Sequence, residues 1–267
     1  DSVEELALRE WNVSHISRKY KLMDLMEFFL CSGTQVFSVG DLNTRSGAIV
    51  GLPHNFSYNT VDDIKLSEIS IYGVNAEQLE PDSEAAEALK QLIQSLVLSE
   101  NAKKFAITRE LHLCNNDRVI NGMLTTIFAS FLGIGVAQQI ILSTRIRRRH
   151  FQSLGLRLVF LTFGVFSYLV VREMCYYSWM SSADKAAIAQ GEAYYDGAVE
   201  YYNKLLQREQ ALKQLRAGNK IRDQTVAELA LSLMDIKGVP PKKCLEKVYE
   251  LNPRADDEDE GDAMSSD

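Results

Sequence analysis

A chain of 267 residues with 46% hydrophobic and 24% charged residues is long enough for one sizeable core, and its composition lies between those of a soluble domain and a membrane protein. The net charge of −7 sits at one end: residues 255–267 (ADDEDEGDAMSSD) hold seven acids and no base, so the remainder is near neutral. That balance argues against a nucleic-acid-binding protein, which would present a basic face. Cys31, Cys114, Cys175 and Cys244, with no C-x-x-C spacing, argue against a disulfide framework or a thiolate zinc site.

In chain order, residues 1–30 read as helical, with Leu22, Leu25, Met26 and Phe29 at helical spacing. Residues 34–72 change character. Thr34–Val39, Gly47–Leu52 and Glu68–Tyr72 are short, rich in β-branched or aromatic residues, and punctuated by Gly40, Asn43, Gly51, Pro53, Asn55 and Gly73, which predicts a small β-sheet. Pro81-Asp82-Ser83 opens a helix with Glu84 and Glu87 in its first turn, running to about Leu98. Ser99 is placed to cap a second helix over Glu100–Cys114.

Two apolar runs follow. Val119–Leu142 carries no charge, and Leu154–Val171 is interrupted only by Arg157. Between them lie Arg145, Arg147, Arg148 and Arg149. At 1.5 Å per residue, about 20 apolar residues cross a bilayer core of roughly 30 Å. Arg157 and Arg172 can snorkel from the ends of the second run, and Tyr168, Tyr176, Tyr177 and Trp179 supply an aromatic belt. The pattern predicts an antiparallel transmembrane hairpin over Val119–Leu142 and Leu154–Met174, with a soluble helical pair as the competing reading. The positive-inside rule puts the arginine loop on the negative side of the membrane and the flanking regions on the other.

Beyond the hairpin, residues 182–217 read as one helix ended by Gly218-Asn219. Thr225–Asp235 reads as a short helix, Pro240-Pro241 as a breaker and Lys242–Leu251 as a last helix; the acidic tail reads as a disordered solubilising end. The expected fold class is α+β, mainly helical, with a small β-sheet and helices flanking a two-helix transmembrane hairpin. The expected divisions are an N-terminal α+β region (1–117), the hairpin (118–174), a C-terminal helical region (175–254) and the tail (255–267). Because the chain starts at Asp1 rather than Met, a leader or earlier span is expected to precede it.

Three blocks, Gly47–Phe56 (GAIVGLPHNF), Leu98–Leu111 (LSENAKKFAITREL) and Gly197–Leu215 (GAVEYYNKLLQREQALKQL), lie in order around the hairpin and resemble the transmembrane protein 177 family. The resemblance implies a multi-pass, non-enzymatic protein of the mitochondrial inner membrane, acting in cytochrome c oxidase biogenesis. The implied partners, besides the lipid bilayer, are newly made cytochrome c oxidase subunit 2 and the assembly chaperone that holds it for copper insertion. No cofactor is implied. In a mitochondrion the arginine loop would face the matrix and the soluble parts the intermembrane space.

The order of elements also resembles the HtpX-like membrane zinc peptidases, whose first helix carries H-E-x-x-H and whose helix after the hairpin supplies a ligand in E-x-x-x-D. Here Phe105–Leu113 (FAITRELHL) takes the first position and Gly191–Val199 (GEAYYDGAV) the second, with Glu192 and Asp196 at the matching spacing. Two histidines at i and i+4 share one metal because they lie on one helical face. Aligning on Glu110 puts Arg109 and Leu113 in those places, His112 is shifted by one, and His15, His54 and His150 fit no ligand spacing. No zinc site is expected. Two readings stay open: unrelated helices with Glu192 and Asp196 solvated, or a catalytically dead peptidase-like scaffold. Arg109 shares a face with Ala102, Phe105, Ala106 and Leu113, so it should point inward and need a carboxylate. On the scaffold reading, that carboxylate is Glu192 or Asp196, in a structural ion pair. A membrane assembly factor is the leading functional expectation, a divergent membrane hydrolase its alternative, and a structural anchor with no specific client a third.

Overall fold

The computed structural model describes residues 3–13, 26–31, 33, 35–65, 70–71, 74–75, 84–143, 150–218 and 240–252. The arginine loop (Arg145, Arg147, Arg148, Arg149), the short helix expected over Thr225–Asp235 and the acidic tail lie outside the described residues.

Strands β1 (Met26–Cys31), β2 (Phe37–Gly40) and β3 (Ala48–Pro53) form a sheet in the order β1-β3-β2. The middle place falls to AIVGLP, whose Val50 and Leu52 are wholly buried. β1 runs parallel to β3, with Phe29 opposite Gly51, and β2 runs antiparallel, with Phe37 opposite the same glycine. Any Cβ at Gly51 would meet the Phe37 ring, so the absent side chain leaves room for Phe29 and Phe37 to pack edge to face at 5.8 Å.

Two of the expectations shift. Of the helix predicted through residue 30, Val3–Val13 is helical (α1), Met26–Leu30 instead belongs to strand β1, and residues 14–25, with Leu22 and Leu25, lie outside the described residues. The helical spacing of Met26 and Phe29 is overridden because Phe-Phe-Leu suits a pleated strand and β3 is there to pair with it. The strand expected over Glu68–Tyr72 is Ser70–Ile71 (β4), which pairs antiparallel with Val74–Asn75 (β5) in a separate ribbon rather than extending the sheet.

The helices are α2 (Glu84–Leu96), α3 (Glu100–Cys114), α4 (Arg118–Ser143), α5 (His150–Ile188), α6 (Glu192–Gly218) and α7 (Pro241–Glu250). The Ser99 hydroxyl caps α3 by accepting from the Ala102 N–H. Glu200 of α6 accepts from both the Ser99 N–H and its hydroxyl, so one carboxylate from the far half of the chain secures the start of α3. The single helix expected over residues 182–217 is broken. α5 ends at Ile188, Gly191 takes φ of +143°, and α6 restarts at Glu192. Only glycine adopts that backbone without strain.

The chain divides into two compact units, residues 1–115 with 181–267, and residues 116–180. The N-terminal and C-terminal regions, read separately from the sequence, thus build one body. Its core is α3, buried around nearly its whole circumference from Ala102 to Cys114 apart from Lys104 and His112. α6, α1 and β2 pack on it. Leu6 and Trp11 of α1, Val50 and Leu52 of β3, Phe105 and Leu111 of α3, Tyr201 and Tyr202 of α6 and Val248 of α7 share that cluster. A satellite cluster joins Ala88 and Leu92 of α2 to Ala211 and Leu215 of α6.

The second unit holds α4 and most of α5. α4 is helical for 26 residues and exposes Met123, Leu124, Ile127, Phe128, Phe131 and Leu132. Counted over the described residues alone, no helix is long and apolar enough to cross a membrane. The side chains at 118–119, 129–130, 137, 140–157 and several later positions are outside that count. The structure therefore bears out the α+β, mainly helical class with its small sheet, and does not itself establish the expected transmembrane hairpin.

Candidate functional site

α3 carries polar side chains into the middle of the first unit because it has almost no solvent-facing side. Arg109 is 4% exposed. Its guanidinium donates to Glu110 Oε1 at 2.7 Å, and the other carboxylate oxygen of Glu110 accepts from the Ser38 hydroxyl of β2 at 2.9 Å. A second guanidinium nitrogen of Arg109 donates to the Tyr202 hydroxyl at 3.4 Å, a long contact. That hydroxyl lies 2.8 Å from both Asp184 oxygens and donates to the carboxylate. Behind the guanidinium, the Tyr201 ring centroid is 5.1 Å away, within cation–π range. Phe105, Tyr201 and Tyr202 pack edge to face around it. Arg109 Nε and the Tyr201 hydroxyl find no hydrogen-bond partner among the described residues.

One cation thus lies among two carboxylates in a dry site, and the two carboxylates are not equivalent. Burial raises the Asp184 pKa to about 6, although Arg109 and the Tyr202 hydrogen bond pull it down. Burial and the Asp184 charge hold the Tyr202 hydroxyl well above its ordinary range, so it stays protonated and keeps donating. Burial opposes the charge on Arg109, but a guanidinium does not lose its proton in a protein, and Glu110 and Asp184 favour it. The Cys244 thiol of α7 borders the same group, and burial beside Asp184 pushes it up to about 11. In this state the thiol is neutral and not nucleophilic.

Asp184 makes stability depend on pH in a definite sense. Its folded pKa is raised above the ordinary aspartate value of 3.8, so between about pH 4 and pH 6 the folded state holds a proton that the unfolded chain releases. Stability contributed by this group is present below pH 4 and is lost as the pH rises through 6. The loss should be on the order of 2–3 kcal/mol. Denaturation midpoints measured from pH 4 to 7 should therefore show a falling component that Asp184→Asn removes. An unchanged pH profile in that variant would show that Asp184 does not titrate there.

The carboxylate partner expected for Arg109 was Glu192 or Asp196, and this is corrected. Both are exposed at the start of α6, and the carboxylate that meets Arg109 is its chain neighbour Glu110. Adjacent residues on a helix point about 100° apart, and only because α3 is enclosed on all sides are both buried. Glu110, the position aligned with a catalytic glutamate, is in effect the counter-ion of Arg109. Among the described residues no group of three His, Cys, Asp or Glu side chains is placed to hold a metal ion. Asp184 and Tyr202 escaped the sequence reading; their signal was a lone acid among small apolar residues (SSADKAAIA) and a tyrosine pair inside a conspicuous block (GAVEYYNKLL).

A further buried carboxylate ties α1 to this body. Glu10 accepts from the Tyr194 hydroxyl at 2.6 Å and from Thr108 at 3.4 Å. Burial and that carboxylate raise the Tyr194 pKa above its ordinary value, which keeps the donor protonated.

Fold and site together define an α+β chain in which a buried helix, a three-stranded mixed sheet and two returning C-terminal helices enclose an ion-pair cluster. The chain belongs to the transmembrane protein 177 family, whose family model matches residues 30–236. A Transmembrane protein 177 from Danio rerio is 30% identical over 173 residues, covering 64% of this chain and 54% of that protein. A Transmembrane protein 177 from Homo sapiens is 26% identical over 210 residues, covering 77% of this chain and 65% of that protein. The chain thus spans between about half and two thirds of the length of these relatives. No solved structure matches it.

Proposed function

We propose that the protein is a non-enzymatic membrane factor of the mitochondrial inner membrane that serves cytochrome c oxidase biogenesis by associating with newly made subunit 2 and its chaperone. Family membership over residues 30–236 carries this reading, together with the relatives' name, which indicates a membrane protein. In this reading α4 and the first part of α5 cross the bilayer as Val119–Leu142 and Leu154–Met174. The exposed apolar side chains of α4, from Met123 to Leu132, support it, since an isolated water-exposed helix of that character would be an aggregation hazard. Arg145, Arg147, Arg148 and Arg149 then face the matrix, and the first unit lies in the intermembrane space. The buried cluster around Arg109 holds that unit together and carries out no chemistry.

The experiment is crosslinking in intact mitochondria followed by affinity isolation, with carbonate extraction of the same membranes. Retention in the carbonate pellet and recovery of subunit 2 with its chaperone are the expected results. Release by carbonate would remove the hairpin, and isolation without either partner would remove the assembly role. A second reading, a divergent membrane hydrolase or a dead peptidase-like scaffold, is favoured only by the place of Glu110 on a buried helix before the apolar pair. Peptide-bond cleavage abolished by Glu110→Gln would favour the hydrolase.

A further inference from the structure

Lys103, in the first turn of α3, is 6% exposed. Its ammonium donates to the Tyr58 carbonyl and to Asn59 Oδ1, each at 3.0 Å. Both acceptors are neutral. Both sit on a loop fixed by Asp63, which accepts from the Asn59 and Thr60 N–H groups at 2.9 Å. An ammonium carries three donors, and the third has no acceptor among the described residues. Burial holds the Lys103 pKa below its ordinary value; Glu100, Asp63 and Glu200 pull the other way, but none lies within ion-pair distance. A buried cation without a close counter-ion is costly, and an anion placed beside it removes that cost.

There is room for such an anion. Lys103 lines a cavity of about 440 Å³, within the size range of small-molecule sites. Leu30 and His54, at the carboxyl ends of the parallel strands β1 and β3, form part of its wall, the position where open sheets hold ligands. Two of the blocks that carry the family resemblance meet here, one through His54 and Phe56, the other through Glu100 and Lys103. Leu6 and Phe56 add buried apolar wall, and Leu30 adds an exposed one. We propose that this cavity binds a small organic monocarboxylate, its carboxylate on the Lys103 ammonium and its apolar body against Leu6, Leu30 and Phe56. The other charges at the cavity set the limit of one negative charge. Glu100 is already balanced by Arg9 at 2.9 Å and Lys104 at 2.8 Å. Glu4 stands exposed in the wall and repels further negative charge, which disfavours a doubly charged anion such as phosphate. The inference is independent of the membrane and assembly reading, since every wall residue belongs to the first unit.

The test is a fluorine NMR titration of the full chain in detergent with 4-fluorophenylacetate, using 2-(4-fluorophenyl)ethanol as its uncharged counterpart and protein-free micelles as the baseline. The wild type should bind the carboxylate saturably and the alcohol about tenfold more weakly or worse. Lys103→Gln should weaken carboxylate binding by about tenfold or more, while hydrogen exchange of α3 stays unchanged, because the amide can still donate to the Tyr58 carbonyl. His54→Glu puts a second negative charge in the wall at an exposed position, and should weaken the carboxylate several-fold and leave the alcohol alone. If Lys103→Gln disturbs α3, the His54→Glu result decides. Inorganic phosphate at the same concentration should displace nothing. Absence of saturable binding by the wild type would overturn the proposal. So would equal binding of carboxylate and alcohol, equal affinity in the wild type and a folded Lys103→Gln, no effect of His54→Glu, or displacement by phosphate.

Discussion

Arg109→Ala should lower the unfolding free energy by about 3–5 kcal/mol, the range for removing one member of a buried ion pair. The reason lies in what stays behind. Glu110, with its side chain 5% exposed, would keep only the Ser38 hydroxyl, and Asp184 would lose the charge that opposes its desolvation. The Asp184 midpoint should accordingly move above its value of about 6 in this variant, extending the pH-dependent loss to higher pH. Arg109→Lys should recover only part of the stability, because an ammonium cannot serve Glu110 and Tyr202 with one planar fork and loses the stacking on Tyr201. Chemical denaturation of the purified chain in detergent measures both. Lys213→Ala, whose partner Glu209 is also exposed on the outer side of α6, is the control and should shift stability by less than about 0.5 kcal/mol. A loss for Arg109→Ala no larger than the control's would show the ion pair to be without structural weight.

Gly197→Val should cost about 3 kcal/mol, at the upper end of ordinary overpacking. Two effects compete here. Replacing a glycine inside a helix normally gains up to about 1 kcal/mol from reduced chain entropy. At position 197, however, a Cβ would overlap the Asn101 carbonyl at the first turn of α3, and that neighbour is backbone that cannot swing aside. The steric term wins, and it strikes where Glu200 holds the Ser99 cap, so the start of α3 should loosen as well. Thermal unfolding, with hydrogen exchange across residues 99–105, measures the two effects. Gly122→Ala is the control, because a Cβ there meets nothing within 4 Å. A Gly197→Val chain as stable as the wild type would show that the α3–α6 contact can open without penalty.

Local chemistry was legible wherever a residue's role depends on its chain neighbours. Ser99 reads as a cap from its place before Glu100, and the structure shows it capping. The run Gly47–Leu52 reads as a strand, and Ala48–Pro53 forms the middle of the sheet. Arg109 reads as inward-facing from the residues on its side of α3. Its partner did not read, because helical periodicity assigns residue 110 to a different face, and only an enclosing fold brings both faces indoors. Asp184 and Tyr202 were hidden for a related reason. Their meeting requires the chain to break at Gly191 and fold back, and a break by one glycine in an otherwise continuous helical pattern leaves little trace in periodicity. β1 was misread because six residues offer too short a window to separate a period of 3.6 from one of 2.

The first unit is assembled from two stretches separated by some 65 residues, 1–115 and 181 onward, and this sets the order in which the protein can become itself. Chains emerge from their N-terminus at roughly 5–20 residues per second. For several seconds after α3 exists, the residues that will enclose it do not. During that interval Phe105, Ile107 and Leu111 have no α6 to cover them, and the start of α3 lacks the carboxylate of Glu200. A chain arrested anywhere before Tyr202 presents a half-made core with an uncovered Arg109–Glu110 pair inside it. The two apolar runs between the halves are made in that same interval, so the nascent chain displays most of its greasy surface at once. Newly made copies are therefore the vulnerable ones, and quality control that samples young chains will see this protein as far less stable than any measurement on the finished molecule would suggest.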